Sequence, residues 1–200
     1  MNGSKIVIGI DQSYKCTGIA VYVYNSETKK GRFWRTFAVK PVSALSGRGK
    51  YTFRALLRKA LSDLFDDIKT GHKLPFFVCF ERPRLFSKGH ISAPYLLSIG
   101  ALNAAIADAA SAELVDCYSI DTRAWRCAAV GTCKRKGNDK GIPPEKYYTV
   151  KHFCKIGYKR RLIRRAADGS KIYEHDIADA MGIAVAAARL EGTPRLKEEN

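Results

Sequence analysis

The chain is short of acid. Among 200 residues, 19 Asp and Glu face 35 Lys and Arg, which leaves a net charge of +16. Such a surplus points to a polyanionic partner, either nucleic acid or an anionic membrane. No uninterrupted apolar run reaches the roughly 18 residues that a spanning helix needs, so no membrane partner is expected. The apolar stretch at residues 6–10 is too short for a signal peptide and ends in the charge of Asp11. A cytoplasmic location is the resulting expectation. The six cysteines include no CxxC pair. Cys127, Cys133 and Cys154, with His152, therefore lack standard zinc-ligand spacing, and reduced thiols are expected. Cys16, Cys79 and Cys117 lie in or beside apolar segments and read as core residues. No internal repeat is visible.

What is present is a globular composition, 46% apolar and 10% aromatic, in a length that suits one domain with a proper core. Residues 5–11 (KIVIGID) are nearly all apolar and β-branched, as in a strand buried on both faces. A turn leads to a second strand at 17–24 and a polar hairpin loop to a third at 32–39. Residues 48–70 carry Phe53, Leu57, Leu61, Leu64 and Ile68 at helical spacing, closed by Gly71. A fourth strand is expected at 76–81 (FFVCFE), an Ala-rich helix at 92–112, a fifth strand at 114–120, and a last helix at 176–190. This order predicts an α/β protein of the ribonuclease H-like fold. Its mixed sheet would have five strands, three antiparallel and two parallel, flanked by helices. The chain is expected to be one domain, residues 1–200, with a basic insertion at about 123–173. The helix at 92–112, with Gly100, is a candidate dimer surface, with simple core packing as an equal alternative.

Residues 123–165 hold fourteen Lys and Arg against Asp139 and Glu145 alone. Within this stretch 131–141 reads as a mobile loop, Pro143-Pro144-Glu145 starts a short helix that Gly157 ends, and Asp168-Gly169 marks a turn. Lys134, Arg135, Lys136, Lys151, Lys155, Arg160 and Arg161 are candidate phosphate contacts. Tyr147, Tyr148, Phe153 and Tyr158 are interleaved with them and are expected mainly to pack the short helix onto the core. Arg84 and Phe86 follow the fourth strand closely enough to reach DNA near its end, and Phe86 is a candidate wedge.

Four acids stand out against the basic background. Asp11 and Glu81 end the first and fourth expected strands, parallel neighbours in this topology. Asp176 and Asp179 share one face at a helix start. Carboxylates gathered at one place suit Mg²⁺, and two such ions roughly 4 Å apart hydrolyse phosphodiesters. Each acid also has a plainer role: Asp11 in a turn, Glu81 paired with Arg82 or Arg84, Asp176 and Asp179 as helix caps.

The segments IGIDQSYKCTGIAV, VCFERP and HDIADAMGIAVAA resemble, in order and across nearly the whole chain, the three acidic motifs of the RuvC family of Holliday junction resolvases. The matched residues are Asp11, Ser13, Thr17 and Gly18 in the first, Glu81 in the second, and Asp176, Asp179 and Ala180 in the third. The resemblance implies catalytic, metal-binding roles for Asp11, Glu81, Asp176 and Asp179. It also implies two Mg²⁺ or Mn²⁺ ions per site and a homodimer that resolves four-way junctions by paired nicks. His175 falls where some relatives use a His and is a candidate for positioning the attacking water. The expanded basic stretch departs from the family pattern and suggests a divergent member, of phage or mobile-element type. Three other readings stand beside this one. Actin-like sugar kinases share the first motif but need two such domains. A nuclease of the same fold acting on RNA or transposon ends is an alternative. So is a non-catalytic branched-DNA-binding protein, although four retained acids would then repel one another without benefit.

Overall fold

The structure is a computed structural model that describes residues 3–41, 49–83, 93–131, 144–191, 193 and 196–198. Five strands appear in the expected order: β1 Ser4–Asp11, β2 Thr17–Asn25, β3 Lys30–Val39, β4 Phe76–Glu81 and β5 Cys117–Ile120. β1, β2 and β3 form an antiparallel meander, and β4 and β5 extend it in parallel from β1. A short edge strand, β8 Leu196–Glu198, adds antiparallel to β5, giving the sheet order β3-β2-β1-β4-β5-β8. Fold class and strand order are as the sequence predicts, with this sixth strand in addition. A separate hairpin pairs β6 Ile163–Arg165 with β7 Lys171–Tyr173 around the Asp168-Gly169 turn.

The sheet divides the core in two by the period-two alternation of its strands. Ile6, Ile8, Ile10, Val78 and Phe80 face α1 Gly49–Gly71 and α2 Ala93–Ala112. Helix α1 buries Phe53, Leu57, Leu61, Leu64, Phe65 and Ile68, the stripe that its spacing dictates. Val7, Ala20, Tyr22, Phe77 and Cys79 face the other way, against α6 His175–Leu190. An unbroken run of twelve α6 residues, Ile177–Ala188, is buried, because the helix is covered on every side. Its small side chains allow the close approach, and α3 Thr122–Val130 and α4 Pro144–Phe153 pack on its outer flank.

Some expectations change. By length and composition α2 is long and apolar enough to cross a membrane, contrary to the expectation that no such segment exists. Its Ile99, Leu102 and Ile106 are buried against the sheet while Leu97 stays exposed. The described residues of the segment at 123–173 include the short helix and the turn that the sequence predicts. They comprise α3, α4, a wide turn at Cys154–Tyr158 where Gly157 takes φ 103, α5 Lys159–Leu162 and the hairpin. Phe153 and Tyr158 pack edge-on against Phe33, at 5.8 and 5.1 Å between ring centroids, as core packing of the aromatics predicts. Cys127 is disulfide-bonded, whereas Cys16, Cys79, Cys117 and Cys154 form no disulfide. Uniformly reduced cysteines, expected from compartment and not from geometry, are thus corrected at Cys127.

Candidate active site at the ends of β1 and β4

Asp11 is the last residue of β1 and Glu81 the last of β4, and the parallel register runs up to Ile10 opposite Phe80. The next step sets Asp11 level with Glu81 on strands about 4.8 Å apart. Both belong to the parity of Val7, Phe77 and Cys79, so both lie on the α6 face. Gln12 ties the two strand ends together, its Nε2 donating to the backbone carbonyl of Glu81. The turn after Asp11 is closed by Thr17, whose hydroxyl donates to the Ser13 carbonyl at 2.9 Å and accepts from the Ser13 N–H at 3.2 Å. Ser13 and Thr17 of the first motif therefore shape the loop beside the acid.

Helix α6 reaches this spot because two glycines leave room for its backbone. A β-carbon on Gly9 would stand 2.3 Å from the Ala180 carbonyl oxygen, and one on Gly18 would meet the Asp176 carbonyl. Gly18 pairs with Asp11 in the β1–β2 ladder, so the first turn of α6 lies one strand from Asp11. Asp176 is the acidic residue of that first turn. The helix cap is Glu174, which makes no side-chain capping bond and instead accepts a hydrogen bond from Arg164. Asp179 is not a cap either. It is 3% exposed, with Oδ2 3.7 Å from Nη2 of Arg126 on α3. His175 is half-buried, its ring stacked on Tyr173 at 6.0 Å.

Glu81 does not pair with Arg82, which bonds Ser119 on β5 at 3.1 Å. Its carboxylate is held by α3 instead: Thr122 Oγ1 donates to Oε1, and Trp125 Nε1 donates to Oε2 at 2.8 Å. These partners, with Gln12, Arg126 and Cys16, are what the sequence reading missed. Cys16 lies beside Asp176, and its thiol is pushed up to about 12, by burial first and then by its hydrogen bond to that carboxylate. A cap signal for α3 was present in Asp121, whose side chain accepts from the Arg123 and Ala124 N–H groups, and in Gly131 at φ 79.

Strand ends and helix start thus come together, but with Glu81 turned to α3 and Asp179 to Arg126 the side chains are not gathered. Among the described residues no group of three His, Cys, Asp or Glu forms a ready metal site. The residues nonetheless fit a hard divalent ion in donor type and place. All are carboxylate oxygens at one end of one sheet face, and each Glu81 oxygen keeps acceptor capacity after its one hydrogen bond. Asp179 is buried with a cation as neighbour, the kind of counter-charge that a metal would supply. Lys151, Lys155, Arg160 and Arg161 are exposed, as phosphate contacts require. Arg84, Phe86, Lys134, Arg135, Lys136 and most of the loop at 131–141 lie outside the described residues, as does the side chain of Tyr147.

No protein-family model and no curated protein matches the chain. Among solved structures, a Thermus thermophilus RuvC structure superposes with a TM-score of 0.66 at 16% identity, over 97% of this chain and 99% of that one. T. thermophilus RuvC in complex with a Holliday junction substrate gives 0.64, with the same identity and coverage. The yeast mitochondrial Holliday junction resolvase Ydc2 gives 0.51 at 15% identity, over 92% of this chain and 77% of that one. The chain has the RuvC fold, a ribonuclease H-like architecture.

Proposed function

We propose that the chain is a metal-dependent endonuclease that cuts branched DNA, four-way junctions foremost, and acts as a homodimer. The observation that carries this reading is the meeting of Asp11 and Glu81 on one sheet face with the Asp-bearing start of α6, brought there by Gly9 and Gly18. That the similar proteins are Holliday junction resolvases supports the substrate class. Asp11, Glu81, Asp176 and Asp179 would hold two Mg²⁺ or Mn²⁺ ions, which supply an activated water and stabilise the leaving oxygen of the phosphodiester.

The other steps belong to the chain's own groups. Lys151, Lys155, Arg160 and Arg161 bind phosphates and set the register of the backbone. His175, at the first position of α6, holds the attacking water by a hydrogen bond. A homodimer would use α2, where Tyr95 and Leu97 are exposed, 56% and 75%.

Asp11→Asn tests the assignment. Cleavage should fall by roughly a thousandfold or more, the several kcal/mol that metal stabilisation supplies, while junction binding in EDTA persists. Loss of binding as well would make Asp11 a structural residue. The lack of a gathered ligand group among the described residues favours a second reading, a non-catalytic protein that binds branched DNA. That protein would bind junctions tightly and never cut them.

A further inference from the structure

Helix α3 has no part in the chemistry proposed above, yet three of its side chains end on the acids. Thr122, 4% exposed, and Trp125, fully buried, donate to the two oxygens of the Glu81 carboxylate. The same indole presses on the helix that carries the other two acids. A β-carbon on Gly182 would stand 2.5 Å from Trp125 Cζ3, and Gly182 lies one turn beyond Asp179. The Arg126 guanidinium lies 5.0 Å from the Trp125 ring centroid and reaches Asp179 with Nη2. Trp125 therefore touches both halves of the site, Glu81 through its N–H and α6 through its ring.

We propose that Trp125, together with Thr122, is a positioning residue for the acid site: it fixes the Glu81 carboxylate and its separation from α6, so that divalent-ion affinity depends on α3. This rests on the metal reading above and deepens it. A glutamate side chain left to itself samples several rotamers. Bonded at both oxygens it keeps one, and each oxygen retains a lone pair for an ion. Groups that hydrogen-bond a ligating carboxylate commonly govern metal affinity by 10- to 100-fold. The competing role is packing alone, in which Glu81 does no more than satisfy a buried indole N–H.

The two roles separate in Mg²⁺ titrations of the full chain by calorimetry, without DNA. A second readout is Trp125 emission in a Trp34→Phe background, since Trp34 and Trp125 are the two tryptophans. Thr122→Val and Trp125→Phe should each weaken Mg²⁺ binding by roughly tenfold or more, and Thr122→Ser should restore it. Trp125 emission should respond to Mg²⁺. If Trp125→Phe does not fold, the Val and Ser pair at Thr122 decides. Wild-type affinity in Thr122→Val overturns the inference and leaves the metal reading standing. No Mg²⁺ binding by the wild-type protein overturns both.

Discussion

A β-carbon on Gly18 would lie 2.0 Å from the carbonyl oxygen of Asp176, so the second strand and the last helix meet backbone to backbone. Gly18 is also the ladder partner of Asp11. Acids separated by most of the chain's length are thereby placed at one end of one sheet face.

Gly18→Ala should consequently cost more than an ordinary surface change. The added methyl must push α6 away from β2, and overpacking of this kind costs about 1–3 kcal/mol. For a chain of this size that lowers Tm by roughly 2–4 °C per kcal/mol, measurable by calorimetry. A Tm unchanged from wild type would mean that the helix start yields without cost.

The basic surface predicts a salt signature. Lys155, Arg160 and Arg161 are exposed on the turn after α4 and on α5. Replacing all three by Ala should weaken junction binding and reduce the slope of log K against log salt by about 2–3, near one unit for each phosphate no longer neutralised. An unchanged slope would remove these residues from the DNA interface.

His152 sets a pH dependence of stability. Burial first, then the charges of Arg189 and Lys155, hold its pKa below the ordinary 6.5. The unfolded chain therefore takes up the proton first as pH falls. Stability is lost from near pH 6.5 downward, until the folded state is protonated too. Thermal unfolding followed from pH 8 to 5 should show a smaller acid loss in His152→Gln than in wild type. Parallel curves would show that His152 is not linked to folding.

The strands were legible because burial on both faces leaves β-branched runs such as KIVIGID, and α1 because its apolar residues recur at helical spacing. The edges were less so. Leu114 reads as the start of β5, yet it sits at φ 54 and 96% exposed, in a turn that closes α2 by hydrogen bonds to Ala110 and Ser111. β8 has three residues and pairs far from its neighbours in sequence, so no local pattern marks it.

At the site, the elements that bear the acids could be placed from the sequence, but the partners of the acids could not. Sequence adjacency suggested Arg82 for Glu81. Alternation along a strand turns successive side chains to opposite faces, and Arg82 goes to Ser119 instead. Thr122 and Trp125 reach Glu81 from α3, whose cap residues Asp121 and Gly131 mark a helix but not the strand end it packs on. Cys16 looked like a core residue, and only the fold of the β1–β2 turn brings it to Asp176.

Incubating the protein with end-labelled four-way junction, Y-shaped and linear duplex DNA, in Mg²⁺ and in EDTA, separates a junction nuclease from a protein that only binds. Paired, symmetric nicks should appear in the junction in Mg²⁺ alone, with linear duplex left intact. Tight junction binding without cleavage in any metal would mean a non-catalytic branched-DNA-binding protein instead.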